Sequence, residues 1–488
     1  MQSTLTRVSP LFLLPTFFVL HEYYSLYPAI PVYQIIAILC QFIFIAACLF
    51  ILSFLIYRKL DKAAIYGLLL LFIYVFFGAL YDFMKRSFGA HFFTSYIFII
   101  PFLLALLILI GFYIKRRNSQ SKRFFIFTNL LFIILIAFDF FTFLQIRTER
   151  NENKVTAAPI QIKHSNQTYK PDIYLIIADE YAGLTTLKEI FEFDNSKFVK
   201  GLQIRNFHFL NQTTSNYNAT IFSMASMLNL GYLKLMNDKI TLQNTLECSN
   251  LLNENVLVKF LQSNGYAFHN FSPFDVSNQS KAIRIYFFPT FEELFISQTI
   301  SERIRKDIGY NFMSASKLKE LESHNLRNDS IVDILTRNVV KESVSPKFVY
   351  THFNMPHHPF FINKDTNNSL YSKLELSKDQ DKKAYINYLE FANKKLLDLI
   401  DFIKKNSANP PIILLMSDHG WRGNETSAQN NLQFININAI NLPDSNYKYF
   451  YDGMSNVNQM RMLLNTYFAQ NLSRLADTTI FLKEVVNQ

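Results

Sequence analysis

The chain has 488 residues, half of them hydrophobic, with 50 phenylalanines and a formal net charge of +10. Such apolar, Phe-rich content excludes an ordinary soluble protein and calls for membrane segments, and the length leaves room for two or three domains. The positive charge does not point to a nucleic-acid binder, because no basic helix or aromatic-basic cluster accompanies it. Cys40, Cys48 and Cys248 are too few and too scattered for a disulfide framework or a cysteine metal site.

Four apolar runs, Pro31–Tyr57, Ala63–Tyr81, Phe93–Ile114 and Phe124–Leu144, are long enough to cross a bilayer as helices. A fifth, Leu11 to about Pro28, is interrupted by His21 and Glu22 and reads as a first helix with polar residues near one interface. Arg7, then Arg58, Lys59 and Lys62, then Lys115, Arg116, Arg117, Lys122 and Arg123 fall on one side of this array. Only Lys85 and Arg86 fall in short loops on the other. The positive-inside rule then predicts a cytoplasmic N-terminus and an extracytoplasmic chain after Leu144. Asp139 lies within the last run, where a carboxylate marks either a functional contact or an interfacial position.

These features predict a transmembrane domain of about five helices over residues 1–146. Residues 147–170 are polar and aperiodic, and read as a linker. From Pro171 to residue 488 the pattern becomes that of an α/β domain. Ile173–Ala178, Phe348–Phe353 and Ile412–Met416 are short continuous apolar runs, the signature of strands buried on both faces. Helical stretches at Leu251–Asn264 and Lys383–Lys405 alternate with them, which implies a largely parallel sheet. In such sheets the site forms beyond the C-terminal ends of the strands. Asp179 and Glu180 follow the first run directly. Ser417-Asp418-His419-Gly420 follows the third. The second run carries His352 as its penultimate residue, and His357 comes five residues later. Carboxylates with imidazoles make a donor set for a divalent cation such as Zn or Mn. Any one of these alone is more often a cap or a surface residue; their joint placement at three strand ends is the signal.

At this point the sequence resembles the alkaline phosphatase/sulfatase superfamily, in particular its membrane-anchored branch of phosphoethanolamine transferases and lipoteichoic acid synthases. The resemblance implies an α/β/α sulfatase-like domain after the membrane helices. It implies Asp179, Thr220, Asp418 and His419 as ligands of a divalent metal, Zn or Mn, with Thr220 also the nucleophile. The segment Ser215–Asn229 carries Thr220 with Ser223 at plus three and Asn229 at plus nine. His352 and His357 match the family's histidine motif and are expected to bind substrate phosphate. The tail Asp452–Phe468 resembles the C-terminal helix of sulfatase-like membrane proteins.

Two departures refine the expectation. Thr220 lacks the following Pro and Arg of the classical sulfatase motif, so formylglycine chemistry is not expected. No His follows His419, so one metal is expected rather than two. The expected activity is transfer of a phospholipid head group, phosphoethanolamine or phosphoglycerol, to an envelope glycan or lipid through a phospho-threonine intermediate. The site would face the periplasm, anchored in the inner membrane of a bacterial-type envelope, with no protein partner and no nucleic acid implied. The alternatives are a membrane-tethered hydrolase of phosphate or sulfate esters, or an inactive sulfatase-like binding module.

Overall fold

The structure is a computed structural model that describes residues 4–27, 32–89, 91–116, 122–235, 237–284, 291–305, 314–344, 346–358, 360, 378–423 and 431–484. The predicted run ends at Pro28 and Pro31, and Pro359 of the histidine motif, lie outside these residues. The chain divides into two compact units, Met1–Glu152 with Tyr286–Ser314, and Asn153–Ile285 with Ala315–Gln488.

The first unit holds helices α1 (Pro10–Leu26), α2 (Val32–Tyr57), α3 (Leu60–Phe88), α4 (Tyr96–Arg116) and α5 (Lys122–Asn153). Four of them, α2 to α5, are long and apolar enough to cross a membrane. The 17 residues of α1 fall just short of the roughly 20 a perpendicular span requires. Exposed Phe, Leu and Ile side chains cover the outer faces of α2, α4 and α5, as a lipid-facing surface requires, since hydrocarbon imposes no penalty on them. His21 of α1 and Asp139 of α5, which the sequence presents separately, meet at 2.9 Å between Nδ1 and Oδ2. Helix α5 runs on to Asn153, beyond the boundary expected at residue 146. Thr156–Ala157, in the expected linker, pairs antiparallel with Leu233–Lys234.

The second unit is built on a six-stranded sheet. Its strands are β1 (Ile173–Ala178), β2 (His208–Phe209), β3 (Ala267–Phe271), β4 (Lys347–Phe353), β5 (Ile412–Met416) and β6 (Asn438–Asn441), in the order β2-β6-β5-β1-β4-β3. Strands β3, β4, β1 and β5 are parallel, and β6 joins β5 antiparallel. All residues of β1, β4 and β5 are buried, which is why these strands read as unbroken apolar runs rather than alternating ones. Helices α6 (Thr220–Leu228), α7 (Ser314–Val340), α8 (Lys378–Asn406) and α9 (Asn456–Phe468) are the longer or site-bearing helices that accompany the sheet. Tyr385, Leu389, Ala392, Leu396 and Ile400 of α8 lie in one core with β1 and β4, at the spacing of one helical face. The single helix expected over Leu251–Asn264 is two, Leu242–Asn253 and Val256–Ser263. Asn255 divides them because its side chain accepts from Val258 N at 2.8 Å and so starts a new helix.

Candidate metal centre

Strand register assembles the centre. Ile177 of β1 pairs with His352 of β4 and with Met416 of β5. Side chains alternate along a strand, so Asp179 and Asp418, each two residues beyond that level, emerge on the same face as His352, one side-chain repeat further along adjacent strands. One donor atom from each lies within 4.8 Å of the others, and all three residues are buried.

The separations match a shared cation. His352 Nε2 is 3.5 Å from Asp179 Oδ2, and His419 Nε2 is 3.4 Å from Asp418 Oδ2 and 3.9 Å from Asp179 Oδ1. Thr220 Oγ1 lies 3.2 Å from His419 Nε2. Donors bound at about 2.0 Å in a tetrahedral site sit roughly 3.3 Å apart. Asp179 Oδ1, His352 Nε2 and Asp418 Oδ2 are buried with no hydrogen-bond partner among the described residues. Unbonded buried polar atoms are costly, and a cation satisfies all three together. The donor set therefore fits a divalent metal on its own geometry.

Surrounding contacts orient these groups. His419 Nδ1 faces the Gly420 carbonyl at 2.7 Å, so this nitrogen carries the proton and leaves the Nε2 lone pair inward. The Tyr350 hydroxyl holds His352 Nδ1 at 2.8 Å. Asp418 Oδ1 accepts from Glu180 N at 3.1 Å. The Ser417 carbonyl accepts from Asn436 Nδ2 at 2.8 Å and Asn456 Nδ2 at 2.9 Å. Gly420 is required by packing: a Cβ there would meet the carbonyl oxygens of Leu432 and Ile435 at 2.5 Å.

Thr220 is the first residue of α6, where the helix dipole favours an anion. Ser223, one turn on, donates to the Asp418 carbonyl at 2.6 Å. Asn229 closes the helix, bonding the carbonyls of Ala225 at 2.8 Å and Leu251 at 3.1 Å. The plus-three position thus locks the Thr220 helix to the loop that carries Asp418 and His419, and the plus-nine position closes its C-terminus.

Glu180 sits in the left-handed region at φ 58, a conformation disfavoured for a side chain with Cβ. Its backbone is held by the Asp418 bond and by Tyr385, whose hydroxyl donates to its carbonyl at 3.0 Å. Its carboxylate accepts from Arg422 N at 2.8 Å and lies 3.5 Å from His357 Nε2. Burial alone raises the Glu180 carboxyl, but His357, His419 and Arg422 outweigh it and hold it below the usual range. Asp179 is likewise raised by burial and brought below its ordinary value by His357, His352 and His419. His357 moves the other way: burial lowers it, and Asp179 and Glu180 raise it above the ordinary imidazole value.

Thus Asp179, Thr220, His352, Asp418 and His419 are brought together, while His357 stands beside Glu180. Sequence reading missed Asn436 and Asn456, whose only signal is an Asn-rich stretch. It also missed Asn354, which shares the face of His352, is buried, and has no hydrogen-bond partner for its amide among the described residues. Trp421 packs edge-on against Phe191 at 4.9 Å as part of the core.

A family model described as Sulfatase matches residues 183–461. Among solved structures, the C-terminal periplasmic domain of EcEptC from Escherichia coli, in complex with Zn, is 14% identical. It superposes with a TM-score of 0.41 over 64% of this chain and 87% of that one. The corresponding domain of phosphoethanolamine transferase EptC from Campylobacter jejuni is 13% identical, with a TM-score of 0.39 over 61% of this chain and 90% of that one. No curated protein matches the chain.

Proposed function

The chain belongs to the sulfatase family, and from that premise we propose that it is a membrane-bound, metal-dependent transferase of phospholipid head groups. The observation that carries this reading is the convergence of half-buried Thr220 with the buried Asp179, His352, Asp418 and His419. A divalent cation held there would lower the Thr220 hydroxyl pKa and neutralise developing charge on phosphoryl oxygens. Asp179, Asp418, His419 and Thr220 are its ligands in this reading, and His352 is a further donor.

Thr220 Oγ1, its proton already shed to solvent, attacks as an alkoxide the phosphorus of a lipid phosphodiester. The bond from phosphorus to the diacylglycerol oxygen breaks, and the head group with its phosphate stays on Thr220. His357, protonated beside Glu180, gives a proton to the departing oxygen. The hydroxyl of an envelope glycan or lipid then attacks the same phosphorus, its proton returns to His357, and the bond to Thr220 breaks. The apolar helices anchor the chain beside its lipid donor. Loop charges favour an extracytoplasmic catalytic unit, the periplasmic face of the inner membrane in a bacterial-type envelope.

Intact-mass spectrometry after incubation with phosphatidylethanolamine or phosphatidylglycerol vesicles tests the reading. A head-group phosphate adduct that disappears in Thr220→Ala is the expected result. Release of soluble head group with no label on any acceptor would favour the hydrolase alternative, and no adduct and no release would count against both.

A further inference from the structure

The catalytic chain makes an excursion into the membrane unit. Residues 286–314 cluster with Met1–Glu152 although the sequence on either side, through Ile285 and from Ala315, belongs to the second unit. The described part forms two short helices, Phe291–Ile296 and Ile300–Arg303.

The excursion docks on one face of α3. Tyr74, Gly78 and Asp82 are spaced by four and so form a single stripe. The Tyr74 hydroxyl meets Ser301 Oγ at 3.2 Å. Gly78 N donates to the Gln298 carbonyl at 2.7 Å. Asp82 Oδ2 pairs with Arg303 Nη2 at 2.5 Å. The approach depends on a missing side chain, because a Cβ on Gly78 would lie 2.8 Å from Gln298 Cα. Ile300 packs on a cluster of Phe77, Tyr81, Ile99 and Leu103. An ion pair, a hydroxyl contact and a backbone bond on one stripe, with an apolar seat beside it shared by α3 and α4, make a specific dock, and charges near hydrocarbon are retained only when paired.

We propose that this dock is a second membrane attachment of the catalytic domain, and that it confines the domain so that the site works on a head group held in a bilayer. The inference rests on the lipid-donor reading above. One flexible tether of roughly 20 residues would let a domain range over roughly 25 Å. The chain instead passes between the units three times, at Glu152–Asn153, Ile285–Tyr286 and Ser314–Ala315. Each added connection narrows the volume searched and raises the effective concentration of a site for a lipid at fixed depth. A freely diffusing substrate gains nothing from the confinement.

The test compares two substrates of the full chain reconstituted in membranes: phosphatidylethanolamine and phosphatidylglycerol vesicles, and the soluble diester bis(p-nitrophenyl) phosphate. Gly78→Leu and Arg303→Asp should each lower head-group release from vesicles by about tenfold or more relative to soluble turnover, through lost effective concentration. Asp82→Arg combined with Arg303→Asp should restore it. Equal loss on both substrates, or no loss on either, would overturn the inference. A wild-type protein that releases nothing from vesicles would instead sink the lipid-donor reading itself, and this inference with it, so the wild type separates the two failures.

Discussion

The Ser223 hydroxyl donates to the backbone carbonyl of Asp418 over 2.6 Å, which ties the helix that begins at Thr220 to the loop that carries Asp418 and His419. The distance from Thr220 to Asp418 and His419 is therefore held in part by a hydroxyl that is not itself among the proposed metal donors. Ser223→Ala leaves a buried carbonyl short of a donor, at a cost of about 1–3 kcal/mol. The expected outcome is a lower Tm together with weaker metal retention, measured by thermal unfolding and by metal analysis of the purified protein. Unchanged metal content would show that the Thr220 helix is positioned by other contacts.

Thr220 has two roles in the proposed chemistry, and substitutions separate them. Thr220→Ala should abolish turnover while the remaining donors still hold metal at reduced affinity. Thr220→Ser keeps the hydroxyl and should retain activity to within about 10²-fold, since the nucleophile and its activation survive. Equal, low activity of both variants would remove Thr220 from the chemistry.

The carbonyls of Leu432 and Ile435 enclose Gly420 so closely that a Cβ would fall 2.5 Å from each. Backbone cannot yield as a side-chain tip does. Gly420→Ala should destabilise the catalytic unit by several kcal/mol, within the range that marks a steric or core defect, and should reduce metal content with it. A normal Tm would show that the 431–436 segment moves aside at low cost.

The acid–base pair of His357 and Glu180 has a definite sign. The imidazole is raised above its ordinary value because Asp179 and Glu180 outweigh burial. Its contribution to stability is present in full below the ordinary imidazole pKa and is lost as pH rises through the raised folded value. In the proposed chemistry the proton it would give the leaving oxygen is lost over the same interval. Turnover should therefore fall as pH rises past the ordinary imidazole value and through the raised one, and His357→Gln should flatten that limb while lowering the plateau. A pH–rate profile of the two proteins under saturating metal checks this.

Asp329 on α7 accepts from Asn354 N at 2.7 Å and from the Tyr388 hydroxyl at 3.2 Å, and burial pushes its carboxyl up to about 7. A raised carboxyl favours the protonated form in the folded state, so stability declines as pH rises from the unfolded carboxylate pKa toward the folded value. Asp329→Asn removes the titration. The Tm difference between wild type and variant should shift in favour of the variant as pH rises from about 4 to about 7, and a constant difference would show that Asp329 does not titrate there.

The sequence by itself determined the two-part plan and the chemical content of the centre. Apolar runs of bilayer length and strand runs buried on both faces are local consequences of solvent, legible without coordinates. Asp179, Asp418 and His419 were legible as candidates because a parallel sheet gathers whatever stands at its strand ends, whereas His352, expected at the substrate phosphate, lies among the buried donors instead. What only the tertiary structure decided depends on contacts between residues far apart in the chain. The register of Ile177 with His352 and Met416 puts His352 on the same face as Asp179 and Asp418, two residues short of their level. The amides of Asn436 and Asn456 converge on the Ser417 carbonyl. The contact of residues 298–303 with α3 leaves no mark in composition, because its seat is the absence of a side chain at Gly78 and a charge at Asp82 whose partner lies 221 positions away.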